Sequence, residues 1–169
     1  MAAARLLKRM ETARLTHVVG VCLLVGLAIQ VMRPSRTNPV TDPTRTIAAH
    51  LAMPAAVQAT LTRSCFDCHS NQTRWPWYSG VAPVSWFVIG HVNDARRVLN
   101  FSDWDTHGRR APGPPLDKIC REVQSGGMPL SSYLLMHRDA RLTADDISVL
   151  CAWADQASRA AGGASLPSR

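Results

Sequence analysis

Two cysteines three positions apart, with a histidine directly after the second, restrict this chain more than any other feature. They are Cys65, Cys68 and His69. Two thiols at this spacing lie along one side of a helical turn, where each can add across one vinyl group of a haem. The adjoining imidazole then reaches the iron from one face of the ring. We therefore predict one covalent haem c, with Cys65 and Cys68 as its thioether links and His69 as the proximal iron ligand.

A second ligand for this iron is expected from a distant part of the sequence. Met128 lies between Gly126-Gly127 and Pro129. Two glycines allow a close backbone approach, the proline stiffens the loop, and a thioether on iron favours the reduced state. Most methionines are core residues, but this setting downstream of the haem motif favours Met128 as the distal iron ligand.

The amino-terminal segment, residues 1–33, is predicted to be a basic stretch followed by a transmembrane anchor. The sequence from His17 to Met32 carries no charge, and Arg14 and Arg33 flank it. These 16 residues would span roughly 24 Å as a helix, and the arginines can extend to the membrane surfaces. A cleaved signal peptide fits less well, because small residues are missing at the required spacing, and a lipoprotein fits poorly because Val21 precedes Cys22.

The charge distribution gives an orientation and excludes one class of partner. The formal net charge is +7, and residues 1–33 hold five basic side chains against one acidic side chain. Positive charge before the apolar run places the amino terminus in the cytoplasm, so the rest of the chain would lie on the periplasmic side of a bacterial inner membrane. Most of the basic excess belongs to the anchor, and we therefore expect no nucleic-acid partner.

The remaining chain divides by composition. Residues 34–52 are rich in proline and threonine and are predicted to be a linker, and residues 160–169 are predicted to be a flexible tail. The haem domain is assigned to residues 53–159. Apolar residues recur at helical spacing over 54–66, 83–98 and 116–125, and Thr143 begins a last helix. Residues 108–115 are predicted to be a proline-rich loop.

Aromatic residues crowd the segment after His69. Trp75, Trp77 and Tyr78 surround a proline, and they are candidates to cover the edge of the haem. A small aromatic cluster that only seals the core explains them equally well. His91 is a weaker candidate for the iron, and for both His91 and His137 a structural role is favoured.

Cys120 and Cys151 are not used by the haem motif. A structural zinc site would need a second closely spaced pair, and these residues are far apart in the sequence. Outside the cytoplasm they can form a disulfide between the helix before Met128 and the last helix. Two buried thiols are the alternative.

The chain also resembles the haem-binding domain family of small bacterial cytochrome c-like proteins. The resemblance runs from about Leu61 to Ala157, and it is carried by the segments Cys65–Asn71, Trp75–Trp86, His91–Val92, Leu99–Trp104, Gly127–Leu130 and Leu150–Trp153. It implies covalent haem c, a cytochrome c-like fold and a location near the membrane. The family supplies no reaction or partner.

Together these features predict an all-α, cytochrome c-like domain around one covalent haem, preceded by a single N-terminal transmembrane helix. The expected function is electron transfer outside the cytoplasmic membrane to a redox partner that the sequence does not identify. No substrate chemistry is required, so we expect no enzyme activity. A haem-based sensor or a peroxidase-like protein with an open or displaceable distal ligand is the alternative, and a haemless thiol-redox protein would leave His69 and Met128 without a role.

Overall fold

A computed structural model describes residues 2–104 and 116–163 of the chain, and these residues are helical or irregular, with no strand among them. The predicted all-α class is therefore confirmed. The predicted loop at 108–115 lies outside the described residues. The α-helices are α1 (Ala2–Ala28), α2 (Ile47–His50), α3 (Ala55–Ser64), α4 (Phe66–His69), α5 (Val84–Val98), α6 (Leu116–Gln124), α7 (Ser131–Leu134) and α8 (Ala144–Gly163).

The chain forms two compact units. The first unit consists of the residues up to Arg36 together with residues 76–90. Its main element is α1, which continues as a 3-10 helix over Ile29–Met32. The stretch Arg9–Met32 has 24 residues, and its most apolar 18 residues have a mean hydropathy of 2.2. It is long and apolar enough to cross a membrane. The helix is longer than the uncharged run alone, because the basic residues before His17 are also helical.

Residues 76–90 are attached to the end of this apolar helix. The side-chain amide of Gln30 donates to the Ala82 carbonyl and accepts from the Ala82 N–H, each at 3.0 Å. The indole N–H of Trp86 donates to the Met32 carbonyl at 2.9 Å, and the Arg33 guanidinium donates to the Gly80 carbonyl. The last turn of the apolar helix is thus bonded to a segment about fifty residues further along the chain.

The second unit consists of residues 37–75 and 91–169, of which those up to Trp104 and from Leu116 to Gly163 are described. Helices α3, α6 and α8 enclose its core, and their bounds agree with the helices predicted from hydrophobic spacing. The buried core residues are apolar: Ile47, Val57, Leu61, Phe101, Trp104, Leu116, Ile119, Val123, Leu150, Trp153 and Ala154. This packing holds the helix that leads into Cys65 against the last helix.

The beginning of α8 is fixed by a reciprocal cap. The hydroxyl of Thr143 accepts from the Asp146 N–H at 3.1 Å, and the Thr143 N–H donates to the Asp146 carboxylate at 2.9 Å. Arg63 and Thr60 on α3 also donate to this carboxylate. The Thr143 N–H bond is the largest influence that lowers the pKa of Asp146, and it outweighs the opposing effect of burial.

A disulfide joins Cys120 on α6 to Cys151 on α8. From the sequence, this pair could form a disulfide or remain as two buried thiols. The bond connects the helix that precedes the Met128 loop to the helix that packs on α3. It therefore ties together two of the three helices that enclose the core.

The segment 34–52 differs from the predicted linker, because part of it belongs to the core. Ile47 is only 1% exposed, and its N–H donates to the Phe101 carbonyl at 2.8 Å. The Trp104 N–H donates to the Arg45 carbonyl at 2.7 Å. The packed domain thus begins before residue 53. Ile47 and Leu51 form only one apolar pair at helical spacing, and this pattern is too short to indicate a packed segment.

The carboxy-terminal boundary also differs from the prediction. Helix α8 continues to Gly163, beyond the predicted end of the domain at residue 159. Alanine-rich sequence favours helix, and this explains why the helix extends into the stretch that composition suggested was a flexible tail. Residues 164–169 lie outside the described part of the chain.

Candidate functional site

The haem-motif residues lie at a break between two helices. Helix α3 ends at Ser64, Cys65 has φ −127° and ψ −36°, and the short helix α4 begins at Phe66. The Cys65 carbonyl accepts from the His69 N–H at 2.9 Å and from the Cys68 N–H at 3.2 Å. One hydrogen-bonded turn therefore carries both thiols and the imidazole, as the spacing predicted.

The orientation of the His69 ring is set by a backbone carbonyl. Nδ1 of His69 lies 3.0 Å from the Leu99 carbonyl oxygen. A carbonyl oxygen can only accept, so this bond requires the tautomer with the hydrogen on Nδ1 and places the lone pair of the ring on Nε2. Metal-binding histidines commonly have such a partner, which fixes the ring and raises its basicity. His69 is thus prepared to bind a metal through Nε2.

A cavity of about 490 Å³ lies beside this turn, and all the residues that line it belong to the second unit. The predicted haem residues Cys65, Cys68, His69 and Met128 all line it. The other lining residues combine an apolar interior with a few charged groups: Ser64, His91, Asp94, Ala95, Arg97, Val98, Leu99, Phe101, Lys118, Ile119, Glu122, Val123, Pro129, Leu130 and Tyr133. The structure therefore brings together the two motifs that are about sixty residues apart in the sequence.

The loop that carries Met128 is shaped by Gly126 and by a bond to the end of α6. Gly126 has φ +74°, a left-handed conformation that favours glycine after a helix. A Cβ on Gly127 would lie 2.5 Å from Oε2 of Glu122, the tip of a flexible side chain that can move away, so this position does not require glycine. The Met128 N–H donates to the Glu122 carbonyl at 3.1 Å. Gly126 therefore lets the loop fold back onto the end of α6, and the close approach of the glycines to a haem ring stays a prediction.

Asp67, inside the Cys-x-x-Cys turn, is a site residue that the sequence reasoning missed. Its carboxylate is buried and accepts two bonds from the Arg74 guanidinium at 3.1 Å and one from the Tyr133 hydroxyl at 2.8 Å. Burial acts to raise the pKa of Asp67, but the bonds from Arg74 and Tyr133 outweigh it, and the pKa is lowered. The sequence signal is an acidic residue between two closely spaced cysteines, which suggests that Asp67 needs a partner but does not indicate which residue it is.

The two thiols are poorly suited to dithiol exchange. Burial raises the pKa of Cys65 to about 12 and the pKa of Cys68 to about 11. Thiolates are the reactive form in disulfide exchange, and reactive cysteines have lowered pKa values. Both thiols are therefore protonated at neutral pH, which disfavours a thiol-redox protein. Apolar surroundings are compatible with thioether bonds, which carry no charge.

The remaining predicted residues are distributed over both units. Trp75 lies in the second unit, where its indole donates to Asn38 at 3.2 Å and the Arg96 guanidinium lies 5.9 Å from its ring centre. Trp77 and Tyr78 belong to the first unit and contact each other edge to face at 5.8 Å. The proposed cover of the haem edge by these three residues stays a prediction.

The two other candidate histidines have different surroundings. His91 lines the cavity and therefore shares it with His69 and Met128. The ring of His137 stacks on Tyr133 at 4.2 Å, and among the described residues that line the cavity His137 is not included. Of these two histidines, only His91 lies where it could replace Met128 as the second iron ligand.

The cavity fits a haem. Its volume and its predominantly apolar lining are those of a small-molecule site. The ring of His69 is oriented by a carbonyl, and a methionine comes from a separate loop. Ser64 adds a buried hydroxyl that has no hydrogen-bond partner within the described ranges. These residues fit a prosthetic group that is apolar over most of its surface and is bound through nitrogen and sulfur.

Fold and site together define an all-helical protein with one apolar helix and a cavity for a prosthetic group. The sequence matches the haem-binding domain family over residues 24–156, which is more than half of the chain, and the chain belongs to that family. Haem binding is thereby supported. The comparisons with curated proteins and with solved structures found no significant match.

Proposed function

We propose that this protein is a membrane-anchored mono-haem c-type cytochrome that carries electrons outside the cytoplasmic membrane. The observation that carries the proposal is the single cavity shared by Cys65, Cys68, His69 and Met128. Each of these residues has a known chemistry toward haem, and electron transfer at a ligated iron would use all four. The protein acts as an electron carrier in this account, and it needs no substrate site.

The four residues would hold the haem in two ways, as covalent links and as iron ligands. Cys65 and Cys68 would attach it through two thioether bonds, and His69 and Met128 would bind its iron. A haem held in this way supplies one-electron transfer at its iron. The Leu99 carbonyl orients the imidazole, and the bond between the Met128 N–H and the Glu122 carbonyl fixes the loop that brings the thioether to the cavity.

The lining of the cavity accounts for the rest of the function. Phe101, Ile119 and Val123 are buried apolar side chains that exclude water from the site. A low-polarity surrounding would disfavour the more highly charged oxidised iron and, with a thioether ligand, would raise the reduction potential. Arg97 and Lys118 line the cavity together with Asp94 and Glu122, and Arg97 is paired with Asp94 at 3.0 Å. The charge of Lys118, and that of Arg97 when it leaves Asp94, would suit the propionates of a haem.

The proposed location follows from the apolar helix and its flanking charges. The stretch Arg9–Met32 would cross the inner membrane with the basic amino terminus in the cytoplasm. The second unit would then lie in the periplasm, where c-type haem is attached. The disulfide between Cys120 and Cys151 suits an oxidising compartment of this kind. The redox partner is a protein that this anchored domain can reach at the membrane surface.

A haem stain on a denaturing gel tests the covalent attachment. The full chain is produced in bacteria that attach haem c, and we expect a stained band that survives denaturation. Replacing both thiols, as Cys65→Ser with Cys68→Ser, should abolish the stain, whereas Cys22→Ser in the apolar helix should retain it, since Cys22 is exposed and belongs to the first unit. An unstained wild-type band would contradict the proposal.

The visible spectrum tests the electron-transfer assignment. We expect the oxidised protein to show the weak far-red band of a thioether–iron bond, and the reduced protein to bind carbon monoxide only slowly. Rapid carbon monoxide binding together with the absence of that band would instead indicate an open distal site, as in a haem sensor or a peroxidase-like protein. The haem stain would be unchanged in that case, so the gel tests the covalent attachment and the spectrum tests electron transfer independently.

A further inference from the structure

Residues 77–87 combine exposed apolar side chains with a complete lack of charge. The sequence from Trp75 to Gly90 contains no acidic or basic residue. In the first unit Trp77 is 76% exposed and Phe87 is 53% exposed, and Val81, Val84 and Trp86 are exposed as well. An apolar surface of this kind on a protein domain marks a place where something else binds.

The position of this segment indicates what covers it. It is hydrogen-bonded to Gln30, Met32 and Arg33, which form the end of the apolar helix. One helical turn rises only ~5.4 Å, so these contacts place the segment within about one turn of the point where the apolar run ends. If the helix spans a bilayer, this point lies at the boundary between hydrocarbon and headgroups.

The chemistry of the segment suits that depth. Tryptophan and tyrosine are enriched at membrane–water boundaries, because each has an apolar body and one polar group. Here the Trp86 N–H is bonded to the Met32 carbonyl at 2.9 Å, which leaves the apolar part of the side chain to face outward. Arg36 lies beside Gly80, and with Arg33 it places two positive charges next to the apolar surface. Anionic lipid headgroups attract such charges.

We propose that residues 77–87 form a second membrane contact, which inserts Trp77, Val84 and Phe87 into the boundary region of the same bilayer that the apolar helix crosses. The occupant of this surface is the lipid, because the segment is hydrogen-bonded to the end of the helix that would cross the bilayer. The inference rests on the anchoring described under the proposed function. It gives Trp77 a role at the membrane in place of a role at the haem.

The attachment of residues 77–87 to the apolar helix is specific. The side chain of Gln30 forms a matched pair of bonds with one residue, Ala82, and this requires both segments to be in place.

Environment-sensitive labels in the full-length protein test the contact. Starting from the Cys22→Ser protein, single cysteines are introduced as Phe87→Cys, Val84→Cys, Leu23→Cys or Val149→Cys. All four positions are exposed, so the labels should be tolerated. Leu23 reports on the apolar helix, and Val149 is a matched exposed apolar position on α8. Each label is a nitrobenzoxadiazole, and the protein is inserted into vesicles of phosphatidylcholine and phosphatidylglycerol.

The readout is the fractional quenching by spin-labelled lipid and by iodide in water. Because each value is a ratio to the unquenched sample, absorption by haem cancels. We expect lipid quenching at positions 84 and 87 to exceed that at position 149 several-fold, and iodide quenching to follow the reverse order. Strong lipid quenching at position 23 with only aqueous quenching at 84 and 87 would overturn the inference and leave the anchor intact. Aqueous quenching at all positions, position 23 included, would overturn both, and equal lipid quenching at position 149 would show that the contact is not specific to residues 77–87.

Discussion

Replacing Tyr133 with Phe is expected to loosen the segment that carries Met128 without removing any group that binds haem. The Tyr133 hydroxyl donates to the Asp67 carboxylate at 2.8 Å. Asp67 lies in the turn with Cys65 and Cys68, and Tyr133 lies on α7, directly after the Met128 loop. This bond therefore connects the turn that carries His69 to the loop that carries Met128. Tyr133 is a positioning residue in this account.

The size of the effect follows from the partners of the bond. A hydrogen bond to a charged group contributes about 1.5–3 kcal/mol. Asp67 keeps its bonds from Arg74 in the variant, and Tyr133 is half-buried, so the lower limit applies. A loss of about 1.4 kcal/mol changes an equilibrium constant tenfold. The fraction of molecules in which the Met128 loop is detached should therefore rise about tenfold.

The binding rate of imidazole to the oxidised protein measures this fraction. An added ligand enters when Met128 leaves, so its observed rate should rise about tenfold in Tyr133→Phe. Asp146→Asn is a suitable control, because Asp146 also accepts from an arginine and from hydroxyl groups, but it lies at the start of α8. This control should lower the free energy of unfolding by a comparable amount and leave the imidazole rate unchanged.

Two results would refute the reasoning on Tyr133. If Tyr133→Phe unfolds more easily but binds imidazole at the wild-type rate, the bond stabilises the fold without positioning Met128. If Asp146→Asn accelerates imidazole binding as much as Tyr133→Phe, general loosening explains both, and the connection between Asp67 and Tyr133 has no special role.

Three further predictions concern the ligand, the disulfide and the helix cap. Met128→Ala should remove the far-red thioether band and give a high-spin or misligated iron, whereas Met136→Ala, at an exposed methionine, should leave the spectrum unchanged. Replacing Cys120 and Cys151 with alanine opens a connection over a sequence separation of 31, which should lower the free energy of unfolding by about 3.5 kcal/mol in urea titrations, with the haem stain retained. The pKa of Asp146 is lowered by folding, so its stabilising contribution is present above its unfolded value of about 3.8 and is lost as the pH falls through the folded value. When the pH is lowered from 5, the free energy of unfolding of Asp146→Asn should therefore fall by less than that of the wild type. Equal decreases would contradict the stabilising role of the Asp146 carboxylate.

The sequence was sufficient for the parts of the molecule that have local signals. The helices around the core follow from apolar spacing, and the start of α8 follows from its cap residues. The spacing of Cys65, Cys68 and His69 predicted that they share one turn, and they do. Met128 was selected from the residues next to it, and it lines the same cavity. Their roles toward haem stay predictions.

Features that depend on distant partners were missed or misplaced. The burial of Ile47 requires Phe101, and the role of Asp67 requires Tyr133, which is 66 positions away. Nothing near either residue in the sequence indicates its partner. The carbonyl of Leu99 that orients His69 is a backbone atom, so no residue type could reveal it. Such contacts form when distant segments pack together, and a local pattern of residue types does not predict them.

The pyridine haemochrome spectrum of the purified full-length protein tests the central claim most directly. When pyridine displaces the axial ligands, the position of the main visible band depends on whether the vinyl groups of the haem have been converted to thioethers. With Cys65 and Cys68 both attached, we predict the band position of haem c, and no haem should be extracted by acidified organic solvent. A band at the position of unmodified haem, together with complete extraction, would contradict the claim that these two cysteines hold the haem covalently.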